Sequence, residues 1–99
     1  MVHGGHVYIM TNKSNEILYV GVSSELRNRV YKHKTGFYKN SFTYKYNIHK
    51  LVYYEGFHFI EDAIVREKQI KAGSRNKKIE LIERMNPDWN DLFDELPVD

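Results

Sequence analysis

The sequence predicts an α+β domain in which a small three-stranded antiparallel sheet is flanked by helices, in the order β-β-α-β-α-α plus a short C-terminal helix. Three short segments either alternate between apolar and polar residues or are rich in β-branched residues, which is typical of strands. In the segments between and after them, apolar residues recur at helical spacing. The 99 residues, of which 41% are hydrophobic, suffice for one compact domain. We therefore expect a single domain over residues 1–99, with a core at about 6–92 and an acidic tail at 93–99.

The first two strands, at residues 6–12 and 17–22, are expected to form a hairpin because turn-forming residues separate them. A two-residue turn at Ser14-Asn15 would place Tyr8 opposite Gly21 and Tyr19 opposite Met10.

These four residues would then share one face of the sheet, because side chains alternate along a strand. The glycine would leave space beside the Tyr8 ring. The other face is uniformly apolar, and we expect it to be the core side; it carries Val7, Ile9, Leu18, Val20 and Val22.

Helix signals follow the hairpin. Ser23 or Ser24 offers an N-cap for a first helix that ends near Gly36, and residues 37–48 are expected to form a loop. The remaining elements are a strand at 51–57, a helix from Ile60 to about Gly73, a helix over about 75–85 ended by Asn86-Pro87, and a short helix from Asp88 through Leu92 and Phe93.

Charge is unevenly distributed along the chain. The formal net charge is only +2, yet residues 23–50 carry seven Lys and Arg against one Glu, and residues 66–78 carry six against one. Residues 80–99 are strongly acidic, and their negative charge offsets the two basic segments in the net charge of the chain. Such segments are typical of phosphate-binding surfaces, although a solvated surface explains the charge pattern equally well.

Several classes of protein are excluded or disfavoured by composition. The chain has no Cys, which excludes disulfides and thiolate metal sites and fits a reducing compartment, so we expect a cytoplasmic protein. No apolar run reaches the length of about 18 residues that a membrane helix needs. The N-terminus lacks the basic and apolar regions of a signal peptide.

Three polar residues occupy unusual positions on the predicted helices. Arg29 and His33 lie on one ridge beside Leu26 and Val30, which places both next to the sheet. A surface arginine with a buried stem and a hydrogen-bonded histidine near the helix end are the simpler alternatives. Glu67 falls inside the apolar stripe of its helix, where a carboxylate needs a cation or a metal. An ion pair with Arg29 or Arg66 and a divalent metal are equally good explanations.

The segment from Phe37 to Tyr46 interleaves aromatic rings with lysines and hydroxyl groups. Such a segment suits phosphate contacts and base stacking, although the rings could instead pack on the sheet. We expect both kinds of contact, with Lys39 and Lys45 exposed.

Together these residues resemble the GIY-YIG nuclease superfamily. His6-Val7-Tyr8 stands where that family has its first tripeptide, and Tyr19-Val20-Gly21 where it has its second. Arg29, His33 and the Arg66-Glu67 pair follow in the family's order and spacing. The segments 51–55 and 66–71, with Arg75 and Lys78, are especially similar to the short stand-alone bacterial branch. His6 departs from the pattern, since the family has glycine there.

The resemblance implies a site and a reaction. Tyr8 or Tyr19 would act as the general base for water or assist it, Arg29 would contact the scissile phosphate, and His33 would assist Arg29. Glu67 would bind one divalent ion, Mg²⁺ or Mn²⁺, and Gly21 would be structural in the site.

The implied function is an endonuclease acting on nucleic acid, DNA rather than RNA, with weak sequence specificity and selectivity for nucleic-acid structure. The nucleic-acid contacts are assigned to Arg27, Lys32, Lys39, Lys45, Arg75 and Lys78. A non-catalytic or partner-activated nucleic-acid-binding module is the alternative, and a protein partner could supply specificity. In a further alternative, the acidic tail docks a basic partner or folds over the basic groove.

Overall fold

The computed structural model describes residues 4–97 and confirms the predicted α+β architecture. The limits predicted at residues 1 and 99 lie outside this range. Three strands form one antiparallel sheet in the order β2-β1-β3: β1 (Gly5–Thr11), β2 (Leu18–Ser23) and β3 (Lys50–Phe57). The helices are α1 (Leu26–Lys34), α2 (Phe42–Lys45), α3 (Ile60–Ala72) and α4 (Arg75–Met85), followed by a 3₁₀ turn (Phe93–Glu95). Between residues 4 and 97 no helix is long and apolar enough to cross a membrane.

The β1–β2 hairpin has the predicted register, with Tyr8 opposite Gly21 and Met10 opposite Tyr19. Asn15 adopts a left-handed conformation, with φ of 61°, and its N–H donates to the Asn12 carbonyl at 3.0 Å. Asparagine tolerates this conformation better than most residues, so the turn chemistry sets which side chains share a face.

Both faces of the sheet are buried, whereas only one was expected to be. The first core lies on the Tyr8 face, beneath α1 and the C-terminal segment, and contains Tyr8, Met10, Leu26, Val30, Ile48, Leu51, Leu92 and Leu96. The second core lies on the opposite face and contains Val7, Ile9, Val20, Val52, Tyr53, Ile70 and Ile82. β1 is the central strand, so its side chains are buried on both sides, and Tyr8 and Met10 are 0% exposed.

The segment after α1 is more ordered than the predicted loop. Ser41 caps the short helix α2, and its side chain accepts a hydrogen bond from the Tyr44 N–H at 3.2 Å. Thr43 and Ile48 are buried. The helix α1 itself begins at Leu26, and neither predicted serine caps it with its side chain; Ser23 Oγ instead accepts from the Glu25 N–H at 2.9 Å.

The chain after α4 differs from the prediction of a helix beginning at Asp88. Asn86 ends α4, and its side-chain amide donates to the carbonyls of Val52, at 3.1 Å, and Asn90, at 2.8 Å. These bonds hold the following residues in an irregular path, and helical structure resumes only in the 3₁₀ turn. Leu92 and Leu96 are both buried in the first core, so the core extends beyond residue 92 into the segment expected to be a tail.

Candidate functional site

Tyr8 lies at the centre of a polar cluster within the first core. Its ring packs against Gly21, and its hydroxyl lies 3.3 Å from His33 Nε2. Burial raises the pKa of the Tyr8 phenol well above its usual value of 10, Tyr19 adds to the rise, and the positive charge of Arg29 opposes it. Tyr8 is therefore a protonated phenol at neutral pH.

His33, on the last turn of α1, is only 4% exposed. Its second ring nitrogen, Nδ1, lies 2.8 Å from the Thr43 hydroxyl. Burial lowers the pKa of His33 to about 4, and the nearby charges of Arg29 and His49 act in the same direction. The imidazole is therefore neutral at pH 7.

Other aromatic rings surround this pair. The half-buried Tyr19 ring lies 5.5 Å from the His33 ring and stacks on Phe42 at 6.3 Å between centroids. Tyr38 lies 5.1 Å from His33, and the Arg29 guanidinium lies 5.8 Å from the Tyr38 ring centroid. Tyr8, Tyr19, Arg29 and His33 thus converge, although they come from three different elements.

In the part of the chain that the structure describes, Glu67 makes no hydrogen bond or ion pair with the residues of this cluster. It lies on α3, which packs on the second core through Ile70. Its side chain is 15% exposed and pairs with Lys71 at 3.1 Å, one turn further along the helix. Within residues 4–97 it forms no ion pair with Arg29 or Arg66, so that alternative is wrong.

The donors available for a metal ion are limited. Nowhere in residues 4–97 do three or more His, Cys, Asp or Glu side chains come together as a possible metal cage. Mg²⁺, however, keeps several waters and is commonly held by one or two carboxylates together with substrate phosphates. The single Glu67 carboxylate fits an ion of that kind, provided that Lys71 releases it, and does not fit a metal held by protein ligands alone.

An extended cationic and aromatic surface, formed by residues 31–46, adjoins the cluster. The chain has no Asp or Glu between Glu25 and Glu55, but Lys34 on this surface pairs with Asp91 from the C-terminal segment. Lys32 lies 4.7 Å from the Phe37 ring centroid and Lys45 lies 5.3 Å from that of Tyr46, whereas Lys39 is exposed. Five aromatic side chains on this surface are 38–62% exposed: Tyr31, Phe37, Phe42, Tyr44 and Tyr46.

The other three basic residues predicted to contact nucleic acid have partners within the chain. Arg27 donates to the Leu96 carbonyl at 3.1 Å, and its guanidinium lies 4.6 Å from the centroid of the Phe93 ring. Arg75 and Lys78 lie on α4 and donate to the carbonyls of Asn15, at 3.2 Å, and Gly73, at 2.7 Å.

Comparison with known families identifies the domain. The model of the GIY-YIG catalytic domain matches residues 4–80, which include all five residues predicted for the site. The chain belongs to the GIY-YIG family. This membership confirms the resemblance drawn from the two tripeptides and places the protein in a family of nuclease type.

Relatives of this GIY-YIG protein are small single domains. A UPF0213 protein of Syntrophus aciditrophicus is 34% identical over 83 residues, which are 84% of this chain and 93% of the relative. One from Staphylococcus saprophyticus is 35% identical over 77 residues, 78% of this chain and 92% of the relative. The solution NMR structure of a UPF0213 protein from Bacillus halodurans superposes with a TM-score of 0.54 at 27% identity, covering 89% of this chain and 92% of that one.

Two groups of residues were not predicted, one beside the cluster of Tyr8 and His33 and one on the opposite face of the sheet. Ser41 and Thr43 contact His33 directly or through one another, and Tyr38 packs on its ring. The hydroxyls stand within the aromatic segment, but only the path of α2 brings them to His33. On the other face, the Tyr53 hydroxyl donates to Glu55 at 2.6 Å, and Glu55 pairs with Arg66 at 3.5 Å.

Proposed function

We propose that this GIY-YIG protein hydrolyses nucleic-acid phosphodiesters, DNA in preference to RNA, with one divalent ion, Mg²⁺ or Mn²⁺. The observation that carries the proposal is the convergence of Tyr8, Tyr19, Arg29 and His33 beside the cationic and aromatic surface of residues 31–46. Tyr8 and Tyr19 lie on the hairpin and Arg29 and His33 lie on α1, so only the packing of α1 against the sheet brings the two pairs together.

Arg29 is assigned to the scissile phosphate. In-line attack on a phosphodiester builds negative charge on the non-bridging oxygens, and a guanidinium stabilises that charge with directed hydrogen bonds. Arg29 is half buried beside the Tyr38 ring, which limits the orientations of its side chain. An arginine held in this way loses less conformational entropy on binding phosphate than a free surface arginine does.

The two tyrosines differ in how readily they could take a proton from the attacking water. Tyr8 is fully buried, and burial raises its pKa, so it holds its own proton firmly. Tyr19 is half buried at the edge of the cluster, beside Phe42. We therefore assign assistance of the water to Tyr19. The water oxygen forms a bond to phosphorus as the bond to the leaving oxygen breaks. The water loses one proton through the Tyr19 hydroxyl to solvent, and the leaving oxygen gains one proton from solvent, so the step balances.

Glu67 is assigned to the metal ion. A bound divalent ion would lower the pKa of a coordinated water and neutralise charge on the phosphate. Glu67 supplies one carboxylate, and water and phosphate oxygens would supply the remaining ligands. Lys71 holds the carboxylate in the free protein and would exchange for the ion.

The surface of residues 31–46 supports a structure-selective substrate. Exposed rings stack on bases irrespective of their identity, and lysines beside them contact phosphates, so sequence specificity is expected to be weak. Bases are available for stacking only where they are unpaired. The proposed substrates are therefore DNAs with single-stranded, nicked or branched regions.

Cleavage of a panel of DNAs tests the proposal. Single-stranded, nicked, flapped and fully paired DNA are incubated with Mg²⁺ or Mn²⁺ and resolved on denaturing gels. We expect cutting by the wild type and its loss in Glu67→Gln and Arg29→Ala. Glu61→Gln on α3 and Asn28→Ala on α1 are exposed controls on the same helices and should cut normally. Cutting that persists in both site variants would assign it to a contaminant and defeat the proposal.

A second candidate is a nucleic-acid-binding module without turnover. The Glu67–Lys71 pair and the histidine at the glycine position of the first tripeptide favour it. It predicts binding that weakens with salt and no cutting with any metal. Fluorescence anisotropy against salt concentration, run beside the cleavage assay, separates the two functions.

A further inference from the structure

We propose that Thr43 is a positioning residue that fixes the proton of His33 on Nδ1, so that Nε2 accepts a hydrogen bond from the Tyr8 hydroxyl. Four contacts in series connect a backbone carbonyl to the buried phenol, and the direction of each follows from the one before it. The tautomer itself does not depend on the proposed function, whereas its effect on cleavage does.

The series begins at Ser41. Its hydroxyl lies 2.6 Å from the Tyr38 carbonyl oxygen, which can only accept, so the single Ser41 proton points at that carbonyl. The Tyr44 N–H, at 3.2 Å, also donates to Ser41 Oγ. Ser41 Oγ therefore has no proton left for any other neighbour and can only accept from it.

Thr43 is the next member of the series. Its hydroxyl lies 2.9 Å from Ser41 Oγ, and since Ser41 cannot donate there, Thr43 must. That contact uses the single proton of Thr43. Its oxygen, 2.8 Å from His33 Nδ1, therefore accepts, and Nδ1 carries the proton. Thr43 is 2% exposed, so water cannot readily take over this contact.

The tautomer then determines the bond to Tyr8. A neutral imidazole with its proton on Nδ1 has a lone pair on Nε2, and the hydrogen bond made by one ring nitrogen sets the state of the other. The Tyr8 hydroxyl, 3.3 Å away, is thus the donor. The phenol proton is held between Tyr8 and His33, and the phenol oxygen keeps its lone pairs towards the rest of the cluster.

Long-range ¹H–¹⁵N correlation NMR of the full chain, without nucleic acid, reads the tautomer directly. We expect a protonated Nδ1 and a bare Nε2 at His33 in the wild type. Thr43→Val removes the acceptor at nearly constant shape and should move the proton to Nε2, whereas Thr43→Ser should keep it on Nδ1. Thr35→Val is the matched control, because Thr35 is exposed and its hydroxyl bonds to the Tyr31 carbonyl.

A wild-type spectrum with the proton on Nε2 would overturn the inference, as would an unchanged His33 spectrum in a folded Thr43→Val protein. In the cleavage assay, Thr43→Val should lower the rate and Thr43→Ser should restore it, because only serine keeps a hydroxyl that can accept from Nδ1–H. A wild type that cuts no DNA would defeat the proposed function, while the nitrogen spectra alone would still decide the tautomer.

Discussion

Gly21 lies directly opposite Tyr8, and the Tyr8 phenol occupies the space that a side chain at position 21 would need. A Cβ at Gly21 would lie 2.5 Å from both Cζ and the hydroxyl oxygen of Tyr8, and Tyr8 has no exposed surface into which it could move. We expect Gly21→Ala to lower the free energy of unfolding by about 1–3 kcal/mol, the usual cost of overpacking a core. Urea denaturation followed by circular dichroism measures this change.

Gly73→Ala is the matched control for that substitution. The nearest atom to a Cβ there is 3.4 Å away, and φ is −78°, which alanine adopts freely. Its unfolding curve should lie close to that of the wild type. Equal stability of the Gly21→Ala and Gly73→Ala proteins would show that the Tyr8 ring is not confined by the hairpin.

His33 should make the fold sensitive to acid. Its folded pKa of about 4 lies below the usual histidine value of 6.5, so between these pH values the unfolded chain binds a proton that the folded protein does not. The stabilisation is complete above pH 6.5 and is lost as pH falls towards 4, by an amount on the order of 3 kcal/mol. Unfolding free energies measured by urea denaturation at pH 7 and pH 4.5 test this.

His33→Gln serves as the comparison, since glutamine does not titrate. Arg29 and His49 are the charged or titratable groups that lower the pKa of His33 beyond the effect of burial, and both remain in the variant. Burial also lowers the pKa of His6, so the stability of the variant should still fall somewhat as the pH is lowered. The variant should lose less stability between pH 7 and pH 4.5 than the wild type; an identical loss would contradict a buried neutral His33.

The C-terminal segment should contribute to stability as part of the core. Leu96 is 6% exposed in the first core, and Arg27 of α1 donates to its carbonyl. We expect Leu96→Ala to cost about 2–4 kcal/mol, as other buried leucines do. Glu95→Ala, at an exposed neighbouring position, should change the unfolding midpoint little. A negligible effect of Leu96→Ala would mean that the segment leaves the core in solution.

The Tyr53 hydroxyl should lose its proton only at high pH. Burial, followed by its hydrogen bond to Glu55 and the charge of that residue, raises its pKa to about 12, and Arg66 opposes the rise. Glu55→Gln removes the charge but not the burial, so the pKa should fall and still remain above 10. The ¹³Cζ chemical shift of Tyr53 followed against pH reports both values, and an unchanged titration in the variant would exclude the influence of Glu55.

Local signals predicted most of the fold. The register of the hairpin followed from the turn at Asn15 together with period-two alternation, and α3 and α4 followed from apolar spacing and the break at Asn86-Pro87. Burial of the Tyr8 face was not predicted because it depends on α1 and on Leu92 and Leu96, which lie far away in the chain. The residue pattern within one strand does not show whether distant segments will pack on its second face.

The parts of the site that depend on geometry within one helix or hairpin could be predicted from the sequence. The parts that depend on how separate elements pack could not. Helical rotation correctly placed Arg29 and His33 on the side of α1 that faces the sheet. The ion-pair alternative for Glu67, with Arg29 or Arg66 as partner, was wrong because Lys71, one turn along the same helix, is entropically easier to reach than a distant arginine. Thr43 was missed because its contact with His33 depends on how α2 packs against α1.

The packing of Leu92 and Leu96 in the first core with residues of α1 has a consequence for biosynthesis. During translation the N-terminal hairpin and α1 emerge well before these leucines. The Tyr8 face of the sheet therefore stays partly exposed to water until residue 96 has been added. A nascent chain paused earlier would expose Met10 and Val30, both of which the finished protein hides completely. Stalled or shortened products should therefore be the aggregation-prone and protease-sensitive forms of this protein.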